Sequence, residues 1–145
     1  MPVTKTQTYR GSCFCGNIKF ELKTLKQAQD FAIRRCQCSF CTKTGARYIS
    51  DPKGELIVHL KDENRVNLIQ FGTKTADFAA CLECGAIPLA ISNIDGQVYG
   101  IININALDEA ANFNRHAIAM DYDDESKEQR LARRKQNWIG AVRFD

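Results

Sequence analysis

Apolar and polar positions alternate through much of the first two thirds of the chain. Ile18-Lys19-Phe20-Glu21-Leu22 has the period of two expected of a half-buried strand, and Gly16-Asn17 predicts a turn just before it. Residues 1–10 read as a flexible start running into a strand, broken at Gly11-Ser12. In an extended segment Cys13 and Cys15 share one face, so the opening resembles two strands joined by a cysteine-bearing turn. The polar stretch 23–30 predicts a loop with a short helical turn. Phe31-Ala32-Ile33 then leads through Arg34 and Arg35 into Cys36. A polar turn over 42–45 precedes a strand over 46–49, and Asp51-Pro52-Lys53-Gly54 is a strong turn signal. Strands are predicted over 55–60 and 66–71, separated by the charged turn 61–64. A hairpin follows, 87–94 and 98–104, turning at Asn93-Ile94-Asp95-Gly96. The tail changes character: 123–136 is charged and rich in helix formers, with Ser126, Asp123 or Asp124 able to cap it. Trp138 is expected to pack back on the body. The pattern predicts a mostly β protein with a short C-terminal helix, one domain over 1–145 without internal repeats.

Composition narrows the function. At 145 residues, 44% hydrophobic and 26% charged, the chain can bury an ordinary core unaided. A net charge of +3 is too mild to mark a nucleic-acid footprint. Arg130, Arg133, Arg134 and Lys135 follow Asp121, Asp123, Asp124, Glu125 and Glu128, so the tail reads as a mixed-charge helix face rather than a phosphate track. The polar N-terminus lacks a signal-peptide core, and no apolar run approaches the ~20 residues of a membrane span. The expected location is cytoplasmic, with no membrane partner.

The seven cysteines carry the chemistry. They fall as Cys13-x-Cys15, Cys36-x-Cys38-x-x-Cys41 and Cys81-x-x-Cys84, a grouping that suits metal sites better than disulfides in a reducing compartment. One four-ligand and one three-ligand site would use every thiol. Cys81-Leu82-Glu83-Cys84-Gly85 has the sequence of a zinc knuckle, in which a tight turn aims two thiolates at one metal. The triplet within 36–41 offers three thiolates and leaves the fourth position undetermined: open for a ligand, or closed by a His, Asp or Glu from elsewhere. A reversible disulfide within the triplet is a further alternative.

These motifs resemble the family of glutathione-dependent formaldehyde-activating enzymes, which includes centromere protein V. The resemblance spans roughly residues 9–107. It rests on Gly11-Ser12-Cys13-Phe14-Cys15-Gly16, on Cys36-Gln37-Cys38-Ser39-Phe40-Cys41 with Gly45, and on Cys81-Leu82-Glu83-Cys84-Gly85 with Leu89. It implies a β-tent of small packed antiparallel sheets built around zinc sites. It assigns Cys13, Cys15, Cys81 and Cys84 to one structural zinc, and Cys36, Cys38 and Cys41 to a second zinc at the active site. The chain departs from the family at Phe14, where histidine is frequent, and at Thr42, which separates Cys41 from the basic Lys43. The helix over 123–137 is an elaboration.

Two zincs per chain are therefore expected. The resemblance implies a carbon–sulfur lyase or thiol-adduct-forming enzyme that acts on glutathione adducts of small aldehydes such as formaldehyde. A vacant position on a soft metal suits the sulfur of such a thiol. Arg35, Lys43 and Arg47 flank the triplet and are the candidates for binding the anionic glutathione. His59 and His116 stand far from any cysteine in sequence and are expected to be surface or structural residues, and Tyr48 and Asp51 are further acid–base candidates. The rival class is a zinc-stabilised, non-catalytic binding module for a protein or nucleic acid.

Overall fold

The computed structural model describes residues 5–113 and 116–145. In chain order its strands are β1 (Gln7–Ser12), β2 (Ile18–Thr24), β3 (Arg34–Cys36), β4 (Tyr48–Ile49), β5 (Glu55–Leu60) and β6 (Val66–Ile69), then β7 (Asp77–Cys81), β8 (Leu89–Ile94), β9 (Gln97–Asn103), β10 (Ile118–Met120) and β11 (Ala141–Phe144). Two α-helices accompany them, α1 (Ser39–Thr44) and α2 (Lys127–Asn137). The strands form two sheets, ordered β1-β2-β5-β11 and β10-β3-β4-β9-β8-β7-β6. The mostly β architecture with a short C-terminal helix is as the sequence predicts.

Burial explains the layering. Ile18, Phe20 and Leu22 of β2 turn inward with Leu56 and Val58 of β5, and meet Ala79, Leu89 and Ile102 of the second sheet in one core. The next residues along those second-sheet strands, or the preceding one, face the other way. Phe78, Ala90 and Ile101 join Cys41, Tyr48 and Trp138 in a second cluster. Since neighbours on a strand project to opposite faces, the second sheet is covered on both sides. That is why Gly100, Ile101 and Ile102 are all buried, where the sequence suggested a partly buried strand.

The cysteine-bearing turn between β1 and β2 is as predicted, with Cys13 and Cys15 outside both strands. Several local features differ from expectation. Residues 39–44 form helix α1, where the sequence predicts no helix but a polar turn over 42–45; Gly45 ends it in the left-handed conformation, φ +70°. The predicted strand over 66–71 stops at Ile69, and β7, β10 and β11 were not foreseen. The sheets are not purely antiparallel, because β11 runs parallel to β5 and β10 parallel to β3. Ser126 does cap α2, in a reciprocal box with Gln129, and Trp138 is buried as expected.

One close approach carries a prediction. A Cβ on Gly11 would stand 2.4 Å from Phe20 Cζ and 2.5 Å from the Ala106 carbonyl oxygen. Phe20 is itself fully buried and has nowhere to move. Gly11→Ala should therefore destabilise by about 1–3 kcal/mol, the cost of overpacking a filled core. Urea denaturation checks it, and a change within about 0.5 kcal/mol, as at an unconstrained surface site, would count against the packing described.

Candidate metal centre and cavity

The seven thiols assemble into two groups, Cys13, Cys15, Cys81 and Cys84 in one and Cys36, Cys38 and Cys41 in the other. Within each group the sulfur atoms lie within 4.8 Å of one another. The four-plus-three division allowed by the spacing is thus the arrangement in space.

The first group joins the turn after β1 to the turn after β7. Gly16 and Gly85 each take the positive φ those turns need, +86° and +78°. The Gly85 N–H closes its knuckle on the Cys81 carbonyl at 2.8 Å. Cys13 Sγ and Cys15 Sγ are 3.7 Å apart, Cys15 Sγ and Cys81 Sγ 3.5 Å. A tetrahedral metal with ~2.3 Å bonds to sulfur spaces its ligands by roughly 3.8 Å, so these four fit one ion. The Ile18 N–H donates to Cys13 Sγ at 3.2 Å.

The second group is built across a strand end and a helix start. Cys36 ends β3, Cys38 is the N-cap of α1, and Cys41 is buried in the first turn. The Cys41 N–H donates to Cys38 Sγ at 3.4 Å, and Tyr48 Oη lies 3.6 Å from Cys41 Sγ. The Cys36 thiol is pulled down to about 6, first by its hydrogen bond with Cys41 and, against burial, by bonds at Cys38 and the charge of Arg130. Cys41 is pushed up, by the same bond with Cys36 and by burial. Burial, then the neighbouring Cys41, raises the Tyr48 phenol, which stays a neutral hydroxyl. Three sulfurs gathered in this way offer a soft metal three donors, with Cys36 ionising near neutrality.

A cavity of about 100 Å³ opens onto this triplet. Tyr48, Phe71, Phe78 and Trp138 supply apolar walls, and Arg34, Arg130, Arg133 and Arg134 supply positive charge. The last three come from α2, where positions i, i+3 and i+4 share a face. Arg133 is held by Glu125 through two bonds, 2.8 and 3.1 Å, with its guanidinium 3.7 Å from the Tyr122 ring centre. Arg134 donates to Thr75 Oγ1 and Ser92 Oγ, at 2.7 and 3.3 Å, beside the Trp138 ring. Burial, then repulsion from Arg133 and Arg130, lowers it to about 10, still a cation at neutral pH.

The basic residues named from the sequence stand elsewhere. Arg35, Lys43 and Arg47 do not line the cavity. On β3, Arg34 and Cys36 share a face and Arg35 takes the opposite one, exposed. Lys43, two residues past Cys41 on α1, is exposed too. Arg47 alternates with Tyr48 and donates instead to Asn105 Oδ1 at 2.9 Å. Of the acid–base candidates, Tyr48 reaches the triplet, whereas Asp51 is buried against Thr24 Oγ1 at 2.6 Å. His59 faces Glu21 at 3.4 Å and His116 is exposed. The cationic face of α2 was missed, although the spacing of Arg130, Arg133 and Arg134 held the signal.

Fold and site together define a mostly β protein carrying two cysteine clusters able to hold metal ions, one of them at the floor of a cavity. Residues 8–122 match the family model of the glutathione-dependent formaldehyde-activating enzyme, and the chain belongs to that family. Membership supports a function related to glutathione and formaldehyde. A crystal structure of a Rhodobacter sphaeroides protein, a structural-genomics target, is similar at 32% identity and a TM-score of 0.53. That likeness covers 68% of this chain and 87% of the other. No curated protein matches the chain. Among the described residues, no helix is long and apolar enough to cross a membrane.

Proposed function

We propose that this chain makes and breaks carbon–sulfur bonds between a glutathione-type thiol and a small aldehyde, and that zinc occupies both cysteine groups. The observation that carries the reading is the contrast between the groups: four sulfurs gathered between two turns, three sulfurs at the floor of a cavity. Four thiolates saturate a zinc, so that site is structural; three leave room for one further ligand. When bound there, zinc lowers the pKa of a thiol and holds its sulfur.

The protein's own groups do the rest. Cys36, Cys38 and Cys41 fix the position at which the sulfur is received. The aromatic walls exclude water, and the guanidiniums of α2 attract an anion. In the forward direction a carbon–sulfur bond forms as the carbonyl π bond opens, and the thiol proton ends on the new hydroxyl oxygen; the lyase direction reverses each change. No electrons are gained or lost overall, so no oxidant is required. Tyr48, neutral and beside Cys41, orients that ligand. Seven unpaired thiols fit a cytoplasmic, reducing setting.

The test is zinc per chain before and after titration with glutathione. Two zincs are expected, with glutathione perturbing one. Two zincs indifferent to glutathione would mean a closed second site. A single tightly held zinc would leave the triplet as thiols, and either result would overturn the reading.

A further inference from the structure

The arginines around the triplet are more than a neutral hydroxymethyl group on the sulfur requires. Arg34, Arg130, Arg133 and Arg134 all line the cavity. The carboxylates beside them are Asp123, on the cavity wall, and Glu125, which holds Arg133 and lies 3.6 Å from Arg130 Nε. A zinc with three thiolates adds about one negative charge, which still leaves one guanidinium uncompensated. Arg34 donates to Ser50 Oγ, and Arg133 is committed to Glu125. Arg130 and Arg134 are different. Arg130 uses one terminal nitrogen on the Tyr122 carbonyl at 2.9 Å, and Arg134 meets only the neutral oxygens of Thr75 and Ser92. The Nε of each is buried without a hydrogen-bond partner. Arg134 is 6% exposed, and an unpaired cation so deeply placed is costly to keep.

Size says which part of a ligand meets these groups. A cavity of about 100 Å³ is well under the roughly 300 Å³ at which pockets begin to enclose drug-sized molecules. A tripeptide thiol must leave its body outside and insert only the sulfur and the carbon attached to it. A hydroxymethyl group on that sulfur offers the guanidiniums one neutral hydroxyl acceptor and no charge to pair. A carboxylate is the planar acceptor that a guanidinium fork matches.

We propose that the cavity selects thiol adducts whose sulfur-borne carbon carries a carboxylate, as formed from an aldehyde of the 2-oxo acid type, with Arg130 and Arg134 receiving that carboxylate. The inference rests on the thiol-adduct reading and goes beyond it. It concerns α2, which lies outside residues 8–122 and so outside what the family match covers. The chemistry is unchanged: the thiol adds across the aldehyde carbonyl, its proton ends on the hydroxyl oxygen, and the carboxylate is a spectator that anchors the carbon.

Calorimetric titration of the zinc-loaded protein with S-(carboxymethyl)glutathione and S-methylglutathione tests this. The two thioethers share every carboxylate of the tripeptide, so only the one on the sulfur-borne carbon differs. The carboxymethyl compound should bind at least about tenfold tighter, the scale of one charge-assisted hydrogen bond. Arg130→Gln and Arg134→Gln should each reduce its affinity to that of the methyl compound. Arg134→Gln risks the fold, because Arg134 ties α2 to Thr75 and Ser92. Arg130, a fifth exposed, keeps the test decisive, with melting curves run on both. Equal affinities in the parent protein, or a preference that survives in both variants, overturn the carboxylate assignment. If glutathione itself still engages the zinc, the thiol reading stands without it. If glutathione and both thioethers fail to bind, both readings fall.

Discussion

Cys84→Ser should cost the fold about 5 kcal/mol or more, a lower bound set against apparent binding energies of about 10–16 kcal/mol for structural zinc. The loss is comparable to the whole margin of a typical domain, about 5–15 kcal/mol. The reason is the position of the four-cysteine group. Cys13 and Cys15 sit at the β1–β2 end of the first sheet, Cys81 and Cys84 at the β7–β8 end of the second. A metal there staples two sheets through residues at least 66 apart in sequence, Cys15 and Cys81 being the nearest such pair. The polar links beside it run through Asn17, whose carbonyl and Oδ1 accept from the Lys61 and Asp62 N–H at 2.9 and 2.8 Å and whose Nδ2 donates to the Asp62 and Arg65 carbonyls at 3.2 and 3.5 Å. Serine offers a neutral hydroxyl in place of a thiolate and does not restore the ligand. At about 3 °C per kcal/mol for a chain of this length, melting should fall by roughly 15 °C or more, with zinc dropping by one per chain. Phe14→Ser is the control, since Phe14 lies between two ligands yet is 94% exposed. A Cys84→Ser protein that melts with the Phe14→Ser control would remove the staple from the account.

What could be read from the sequence divides along the range of the interactions involved. The cysteine groups were legible because ligand spacing is local: Cys-x-x-Cys-Gly needs only one turn with a glycine at positive φ. The half-buried strand β2 was legible from alternation, since one face meets the core and the other does not. Strand β5 reads instead as a short apolar run between two turn signals, with Leu56, Ile57 and Val58 buried in succession. β9 was not fully so, because both its faces are covered and Ile101 and Ile102 point into different clusters. Strands β10 and β11, three and four residues long, carry too short a pattern to register, and pair in parallel with partners far away in sequence.

The cationic residues show the same divide more sharply. Arg35, Lys43 and Arg47 flank the triplet along the chain, yet period-two alternation on β3 puts Arg34, not Arg35, beside Cys36. Arg130, Arg133 and Arg134 reach the triplet only because Trp138 and Ile139, just after α2, dock on the second sheet, where Ile139 and Gly100 exchange backbone hydrogen bonds. No local pattern announces that docking, so a helix face that looks solvent-bound in sequence becomes the wall of the cavity.

Cys38→Ser should do the opposite of Cys84→Ser: keep the fold and lose the thiol. Cys38 is the N-cap of α1, with an extended backbone and a side chain accepting from the Cys41 N–H. Serine is among the best residues for that place, so the cap is kept or improved and stability should stay within about 1 kcal/mol of the parent. The sulfur ligand, however, is gone, and two thiolates cannot hold the metal as three do. Zinc should fall from two per chain to one. Glutathione affinity should drop by at least about a hundredfold, the upper end of what losing a mere supporting residue costs at a metal site. Zinc analysis, a melting curve and a glutathione titration on the same preparation read all three. The pairing of the two serine variants is what makes the outcome informative. If Cys38→Ser melts as low as Cys84→Ser, the triplet holds a structural ion, and the cavity above it is not a place where sulfur chemistry occurs. If it melts with the parent but still binds glutathione, the thiol is received elsewhere, and Cys36, Cys38 and Cys41 are not the groups that receive it.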